Sequence, residues 1–138
     1  MSRIERFEQL IAWQKARLLT KHVYLRSLED VFARDFALSG QIRRSAISIP
    51  SNIAEGFERG GRREFHQFLS IAKSSCAELR TQIYIALDIG YLNETVAKEM
   101  LTEAEEVGRI IGGLRRAVGR QTARRRRAPQ SSVLSPQS

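Results

Sequence analysis

Apolar residues recur at helical spacing along most of the chain, and only three short turn signals interrupt them. The four periodic segments cover about residues 5–32, 36–57, 62–89 and 94–118. Spacings of three and four residues place their apolar side chains on one face of an α-helix. Short connections favour antiparallel neighbours, so the sequence predicts an all-α, up-down-up-down antiparallel four-helix bundle in one domain, residues 1–118.

The turn signals have specific chemistry. Asp35 precedes the second segment and is suited to cap a helix N-terminus, as is Asn93 before the fourth segment. Gly90 suits the left-handed position that follows a helix C-terminus, and Gly60-Gly61 separates the second and third segments. Each predicted helix therefore has a defined boundary on at least one side.

The first segment carries two apolar stripes where a bundle helix needs only one. One stripe is Phe7, Ile11, Leu18, Leu25 and Phe32, and the roughly opposite one is Ala12, Ala16, Leu19 and Val23. Either this helix lies at the centre of the chain's own core, or one stripe contacts another subunit. We favour the subunit contact because a four-helix bundle buries one stripe of each helix.

The stretch SIPSNIAEG, residues 48–56, raises the question of a break or a ligand site. The apolar phase of the second segment passes through Pro50 without slipping, which predicts one continuous helix, bent at Pro50, with nearby serine hydroxyls relieving the disturbed backbone bonds. A ligand site is the alternative reading of the flanking polar stripe, but we expect it to bond a neighbouring helix or subunit, with Asn52 and Glu55 fixing the register. The members of this polar seam are Gln41, Ser45, Ser48, Asn52 and Glu55.

Charge is segregated along the chain. Of 23 Lys and Arg and 15 Asp and Glu, the residues up to Glu106 hold 15 of each, whereas the remainder holds 8 arginines and no acidic residue. The net charge of +8 therefore belongs to the C-terminal end. Residues 119–138 are rich in Arg, Ser, Pro and Gln and have few apolar residues, which predicts a disordered, arginine-rich tail.

Arginine at this density is typical of proteins that contact phosphate backbones. The alternatives are a solvated face and a tail that only aids solubility. No aromatic residues interleave with the arginines, so we expect salt-sensitive binding of weak sequence specificity. The candidate nucleic-acid contacts form one group at the second turn and one at the C-terminal end: Arg59, Arg62, Arg63, Arg115, Arg116, Arg120, Arg124, Arg125, Arg126 and Arg127.

Catalytic and metal chemistry have little support in this sequence. His22 and His66 lie in different segments without a nearby ligand partner, and no HExxH, CxxC or phosphate-loop pattern occurs. Cys76 lies in the apolar seam of the third segment, where a buried thiol acts as a small hydrophobe. We expect no enzyme, no cofactor, no metal and no small-molecule substrate. A single cysteine, no signal-peptide pattern and no membrane-spanning run predict a cytoplasmic protein.

The block QIRRSAISIPSNIAEG at residues 41–56, with AELRTQI and DIGYL further on, resembles a known family. It is similar to the small bacterial four-helix-bundle proteins encoded in intervening sequences of large-subunit (23S) rRNA genes, whose relatives include the accessory variability proteins of diversity-generating retroelements. The resemblance covers about residues 8–117 but not the arginine tail. It departs from the family at residues 31–40, which lack a proline, and at Ser74-Ser75, where a Gly-Ser pair is usual.

The resemblance implies a homopentameric barrel of bundles without established catalytic activity. It also implies a basic surface of the kind with which the retroelement relatives bind nucleic acid and a reverse transcriptase. Together with the arginine groups, this predicts a non-enzymatic, oligomeric protein that binds nucleic acid, most readily RNA. The alternative is a homo-oligomeric scaffold or adaptor for other proteins, including an accessory subunit of a reverse transcriptase. No membrane partner is expected.

Overall fold

The computed structural model describes residues 3–127, with side chains described for residues 3–120. This part of the chain contains five α-helices and no β-strand, which confirms the all-α prediction. A 3-10 turn at Phe7–Gln9 precedes α1 (Ile11–Ser27), α2 (Asp30–Arg34), α3 (Phe36–Glu58), α4 (Arg62–Asp88) and α5 (Glu94–Arg127). None of these helices is both long and apolar enough to cross a membrane.

The four long helices pack as a bundle. Both α1 and α4 lie beside α3 and α5, so α1 and α4 are diagonal to each other. Two polar contacts join α1 to α5: Lys15 Nζ to Glu106 Oε2 at 3.2 Å, and His22 Nδ1 to Glu103 Oε2 at 2.6 Å. Because the sequence number rises along α1 while it falls along α5, these helices are antiparallel.

The core is built from branched aliphatic residues and small apolar residues that repeat at helical spacing. Alanines at the contact positions allow close helix approach, and isoleucines and leucines fill the space between the helices. The most completely buried large side chains are Leu19, Ile42, Ile49, Ile53, Leu69, Leu79, Ile83 and Ile111.

The prediction of one helix over residues 5–32 is wrong, because two breaks interrupt it. Leu10 has extended backbone angles, φ −74° and ψ 126°, so α1 begins only at Ile11. At the other end, Arg43 of α3 donates from Nη2 to the Ser27 carbonyl oxygen at 2.7 Å and from Nε to the Ser27 hydroxyl at 2.8 Å. This guanidinium satisfies a carbonyl at the end of α1, so the chain can turn into the short α2.

The predicted turn chemistry is confirmed at both caps. The Asp35 carboxylate accepts a hydrogen bond from the Leu38 N–H at 3.1 Å, and Asn93 Oδ1 accepts one from the Val96 N–H at 2.8 Å. Gly90 has a φ of +87°, which a side chain would disfavour. It follows α4, where the N–H of residue 91 reaches the carbonyl of residue 86, the closing bond of a Schellman motif.

The helix through Pro50 is continuous, as predicted, because α3 runs from Phe36 to Glu58. Proline has no N–H, so the carbonyl of Ala46 lacks its usual partner within the helix. Thr20 of α1 supplies one: its hydroxyl lies 3.0 Å from the Ala46 oxygen and 2.8 Å from the Ala16 oxygen of its own helix. The sequence pattern predicts serines of α3 for this role, but the compensating hydroxyl comes from a neighbouring helix.

The last helix is longer than predicted. The fourth predicted helix ends at residue 118, but α5 continues to Arg127, so a disordered tail beginning at residue 119 is wrong for residues 119–127. Adding residues to an existing helix avoids the cost of nucleation, and Arg, Ala and Gln are good helix formers. The remainder of the predicted tail, residues 128–138, lies outside the described residues.

The two apolar stripes of the first segment have different environments. Ala12, Ala16, Leu19 and Val23 are buried in the core of the bundle. On the other stripe, Ile11, Leu18 and Leu25 are 54%, 49% and 52% exposed. Within this chain, α1 therefore buries one apolar stripe in the core and exposes the other. It is not a central helix of the chain's own core.

Candidate nucleic-acid interface

The two arginine groups lie at the same end of the bundle. The ring of His66, near the start of α4, is about 3.3 Å from the point where a Cβ of Gly119 would stand. Four residues further along α4, the Ser70 hydroxyl accepts a hydrogen bond from Arg115 Nε at 2.7 Å. Because α4 begins where α5 nears its end, antiparallel packing brings Arg62 and Arg63 close to the basic part of α5.

Arg59, at the end of α3, is engaged by its own neighbours. Its guanidinium is 3.1 Å from a Glu55 carboxylate oxygen and 3.9 Å from one of Glu64. It also lies over the ring of Phe68, 5.1 Å from the ring centre, in a cation–π contact. These contacts hold the turn between α3 and α4 and reduce the charge that Arg59 offers to a ligand.

The other predicted contacts divide by their surroundings. Arg115 is half-buried by its bond to Ser70. Arg63, Arg116 and Arg120 are exposed, and none of them forms an ion pair with residues 3–120. Arg62 is exposed at the first turn of α4. The four remaining predicted contacts are the last residues of α5, and their side chains lie outside the described part of the chain: Arg124, Arg125, Arg126 and Arg127.

The predicted polar seam reaches a neighbouring helix through one member. Ser48 Oγ lies 2.8 Å from Ser75 Oγ of α4, at the serine pair that departs from the family pattern. Asn52 Nδ2 donates to the Ser48 carbonyl at 2.8 Å and to its hydroxyl at 2.9 Å, which leaves the Ser48 proton for Ser75. Asn52 therefore orients Ser48 within α3, and register between α3 and α4 depends on the serine pair.

The other seam members face a polar cleft between α3 and α4 or point outward. Glu55 pairs with Arg59 of its own helix. Gln41 and Ser45 line the cleft of about 520 Å³, together with Gln82, whose buried Oε1 has no hydrogen-bond partner among the described residues. The cleft beside the seam thus contains one buried acceptor without a partner, Gln82 Oε1, which a bound water would satisfy.

Three basic residues were not among the predicted contacts. Lys73 and Arg80 follow His66 on α4 at intervals of seven residues, and Arg109 lies on the facing side of α5. All three line one cleft between α4 and α5 with Cys76 at its base. The seven-residue interval is the signal in the sequence, but only the packing of α4 against α5 shows that these charges share a cleft.

The titratable thiol of Cys76 lies at the base of this cleft. Burial raises the pKa of the Cys76 thiol to about 11, despite the nearby Lys73 and Arg80 charges, so the sulfur is a neutral thiol at neutral pH. Within the described residues, no group of three or more His, Cys, Asp and Glu side chains is placed to hold a metal ion. The arrangement can attract anions, and its cations are fixed on two packed helices.

Comparison with known proteins agrees with this fold. A protein of unknown function from the S23 ribosomal protein family of Bacteroides thetaiotaomicron, solved at 1.70 Å, superposes with a TM-score of 0.70. Its sequence is 20% identical, and the match covers 75% of this chain and 97% of that one, so the likeness concerns the fold. No curated protein matches the sequence. Residues 8–113 match the family model of the 23S rRNA-intervening sequence protein, and the chain therefore belongs to that family.

Proposed function

We propose that this protein is a non-enzymatic, homo-oligomeric nucleic-acid-binding protein that contacts phosphate backbones. The observation that carries the proposal is the meeting of the two arginine groups at one end of the bundle, where the His66 ring lies about 3.3 Å from the point at which a Cβ of Gly119 would stand. Arg63, Arg116 and Arg120 are exposed there without an ion pair among residues 3–120. Cations that gain little from the protein itself gain most from a polyanion.

RNA is the first nucleic acid to test, because the description of the family refers to 23S rRNA. The arginines point to backbone contacts rather than to base readout, since phosphate contacts carry no sequence information. We place this activity in the cytoplasm, which suits a chain with a single cysteine, Cys76.

The test is fluorescence anisotropy of a labelled 20-nucleotide RNA against the full chain over a series of salt concentrations. We expect binding at about 50 mM salt that weakens linearly on a log–log plot. Truncation after Gly119 and the triple variant Arg63→Gln, Arg116→Gln, Arg120→Gln should each weaken binding and flatten the slope, by about 0.7 for every phosphate that the variant no longer neutralises. Lys21→Gln, a charge removed from an exposed site on α1, serves as the control for charge alone.

The proposal fails if the wild-type chain shows no salt-dependent binding at low ionic strength. It also fails if Lys21→Gln, which removes one charge, changes the slope by a third or more of the change that the triple arginine variant gives. In that case net charge alone, and not the clustered arginines, would account for binding.

The exposed stripe of α1 supports self-association as a part of the proposal. Ile11, Leu18 and Leu25 recur every seven residues and form an apolar line along one helix, which is the kind of surface that a second subunit covers. The pentameric barrel that the family resemblance implies is the specific assembly we propose. In size-exclusion chromatography with light scattering, Leu18→Gln with Leu25→Gln should reduce the mass to that of one chain, whereas Glu78→Gln, on an exposed position of α4, should not.

The same stripe also favours the second candidate function, a scaffold or adaptor for another protein, including the accessory role beside a reverse transcriptase. A tagged chain that retains a protein partner after nuclease treatment, and loses it with Leu18→Gln, would support the scaffold. Loss of all partners on nuclease treatment would favour nucleic acid as the ligand.

A further inference from the structure

The facing sides of α4 and α5 form a cleft of about 290 Å³ whose walls are mostly cationic. Lys73 and Arg80 come from α4 and Arg109 from α5, against one carboxylate, Glu105. None of the three cations forms an ion pair or hydrogen bond with residues 3–120. The three cations outnumber the one carboxylate of the cleft, so the cleft carries a net positive charge that attracts an anion.

Glycines of α5 lie opposite the long basic side chains of α4. The position where a Cβ of Gly112 would stand is 3.7 Å from Lys73 Nζ and 3.6 Å from Arg116 Nη1, so two cations approach the same point. A Cβ at Gly108 would be 3.8 Å from the Cβ of Cys76 at the base of the cleft. Glycine inside a helix costs about 1 kcal/mol relative to alanine, and here it keeps a shallow floor between basic walls.

The cations continue the basic end of the bundle. His66, Lys73 and Arg80 are spaced by seven residues along α4, about two helical turns or ~10 Å of rise per step. On α5, Arg109 and Arg116 have the same spacing in the antiparallel direction. A nucleic-acid backbone that is bound at the end of the bundle can therefore continue into the cleft along an unbroken basic surface.

We propose that the α4–α5 cleft binds a phosphate group of a nucleic-acid backbone through Lys73, Arg80 and Arg109. This inference rests on the proposed function, which it extends from the end of the bundle to a cleft along its side. The cleft of about 290 Å³ is too small for a duplex and has room for a phosphate group. The chemistry is shared with free phosphate, and the experiment separates the two sources.

The first arm uses the full chain and the labelled 20-nucleotide RNA. Lys73→Gln and Arg80→Gln should each weaken binding roughly three- to tenfold and lower the salt slope by about 0.7. Lys98→Gln is the charge-matched control, because Lys98 lies on α5 in the cleft against α1. Equal thermal unfolding midpoints of these variants and the wild type show that each one folds.

A substitution that should strengthen binding makes the test sharper. Glu105→Gln removes the one carboxylate of the cleft and should tighten RNA binding about threefold or more. Glu99→Gln changes the charge equally on the same helix but lines the cleft against α1, so it should have little effect. An equal gain in RNA affinity from both variants would mean that net charge alone sets the affinity, and it would overturn the cleft proposal.

The second arm measures the thermal unfolding midpoint in sodium pyrophosphate and compares it with the midpoint in sodium chloride of the same ionic strength.

The two arms together separate the proposals. If RNA binds the wild type but Lys73→Gln, Arg80→Gln and Glu105→Gln leave binding unchanged, the cleft proposal fails and the proposed function stands. If RNA does not bind but pyrophosphate stabilises the wild type and not Arg80→Gln, the phosphate site stands and the proposed function fails. If neither ligand binds, both fail.

Discussion

The hydroxyl of Thr20 donates to the carbonyl oxygen of Ala46, 3.0 Å away on a different helix, at the acceptor that Pro50 leaves without a partner. Ala46 is fully buried, so water cannot replace the missing bond. An unsatisfied buried carbonyl costs about 1–3 kcal/mol. This contact allows α3 to pass through a proline, and it ties α1 to α3 at the middle of the bundle.

Replacing Thr20 with valine should therefore destabilise the protein by about 1–2 kcal/mol, because valine keeps the shape but cannot donate. Urea denaturation followed by circular dichroism measures the free energy of unfolding. Thr102→Val is the matched control, since Thr102 is exposed and its hydroxyl bonds only the Lys98 carbonyl of its own helix.

A double-mutant cycle tests whether the cost of Thr20→Val comes from the carbonyl that Pro50 leaves without a partner. In a Pro50→Ala background, the alanine N–H again reaches the Ala46 carbonyl, so Thr20→Val should cost at least about 0.5 kcal/mol less than in the wild type. An equal cost in both backgrounds would mean that the Thr20 hydroxyl stabilises the bundle independently of the acceptor that Pro50 leaves free, for example through the Ala16 carbonyl.

Gly56 should not tolerate alanine. A Cβ at this position would lie 2.6 Å from the Cβ of Phe68, an atom fixed to the backbone of α4, so the two helices would have to separate. Overpacking of this kind typically costs about 1–3 kcal/mol, and we expect a thermal midpoint lower by several degrees. Gly40→Ala on the same helix meets only the flexible end of Arg44 at 3.3 Å, so it should be neutral or stabilising. A neutral Gly56→Ala would contradict the close approach of α3 and α4.

The Asp35 carboxylate should make stability fall in acid. It accepts hydrogen bonds from the Leu38 N–H and the Tyr91 hydroxyl, which lower its pKa below the ordinary 3.8. The folded state therefore favours the charged form, and this stabilisation is full above about pH 4 and lost as pH falls through the lowered pKa. Thermal midpoints between about pH 6 and pH 3 should fall less steeply in Asp35→Asn, which retains an N-cap oxygen, than in the wild type. Asp88→Asn should follow the wild-type curve, and an Asp35→Asn curve as steep as the wild type would refute this role.

The Cys76 thiol should be unreactive in the folded protein. It is 2% exposed, and burial raises its pKa to about 11 from 9.0. At about pH 8 the thiolate fraction is then roughly a hundredfold lower than in the unfolded chain, before access is considered. Alkylation by iodoacetamide followed by mass spectrometry should be at least about a hundredfold slower in native buffer than in urea. Similar rates in both solutions would place the thiol outside the core.

Much of the fold followed from local sequence. Asp35, Asn93 and Gly90 act where the chain needs a cap or a left-handed residue, and those requirements depend on neighbours only a few residues away. The periodicity of the third segment likewise placed Cys76 in an apolar seam, and its side chain is buried in α4. The first predicted helix was wrong at both ends because Leu10 is extended and because Arg43, distant in sequence, bonds the end of α1 at Ser27.

The candidate site divides in the same way. The sequence by itself determined that the basic residues are concentrated after Glu106 and around the turn between α3 and α4, because the order of residues fixes where the charges lie along the chain. Only the tertiary structure decided that Arg59 lies over the Phe68 ring of α4 and that Lys73 and Arg80 face Arg109 across one cleft. The physical reason is that cooperation between charges depends on their separation in space, and antiparallel packing of α4 and α5 sets those separations.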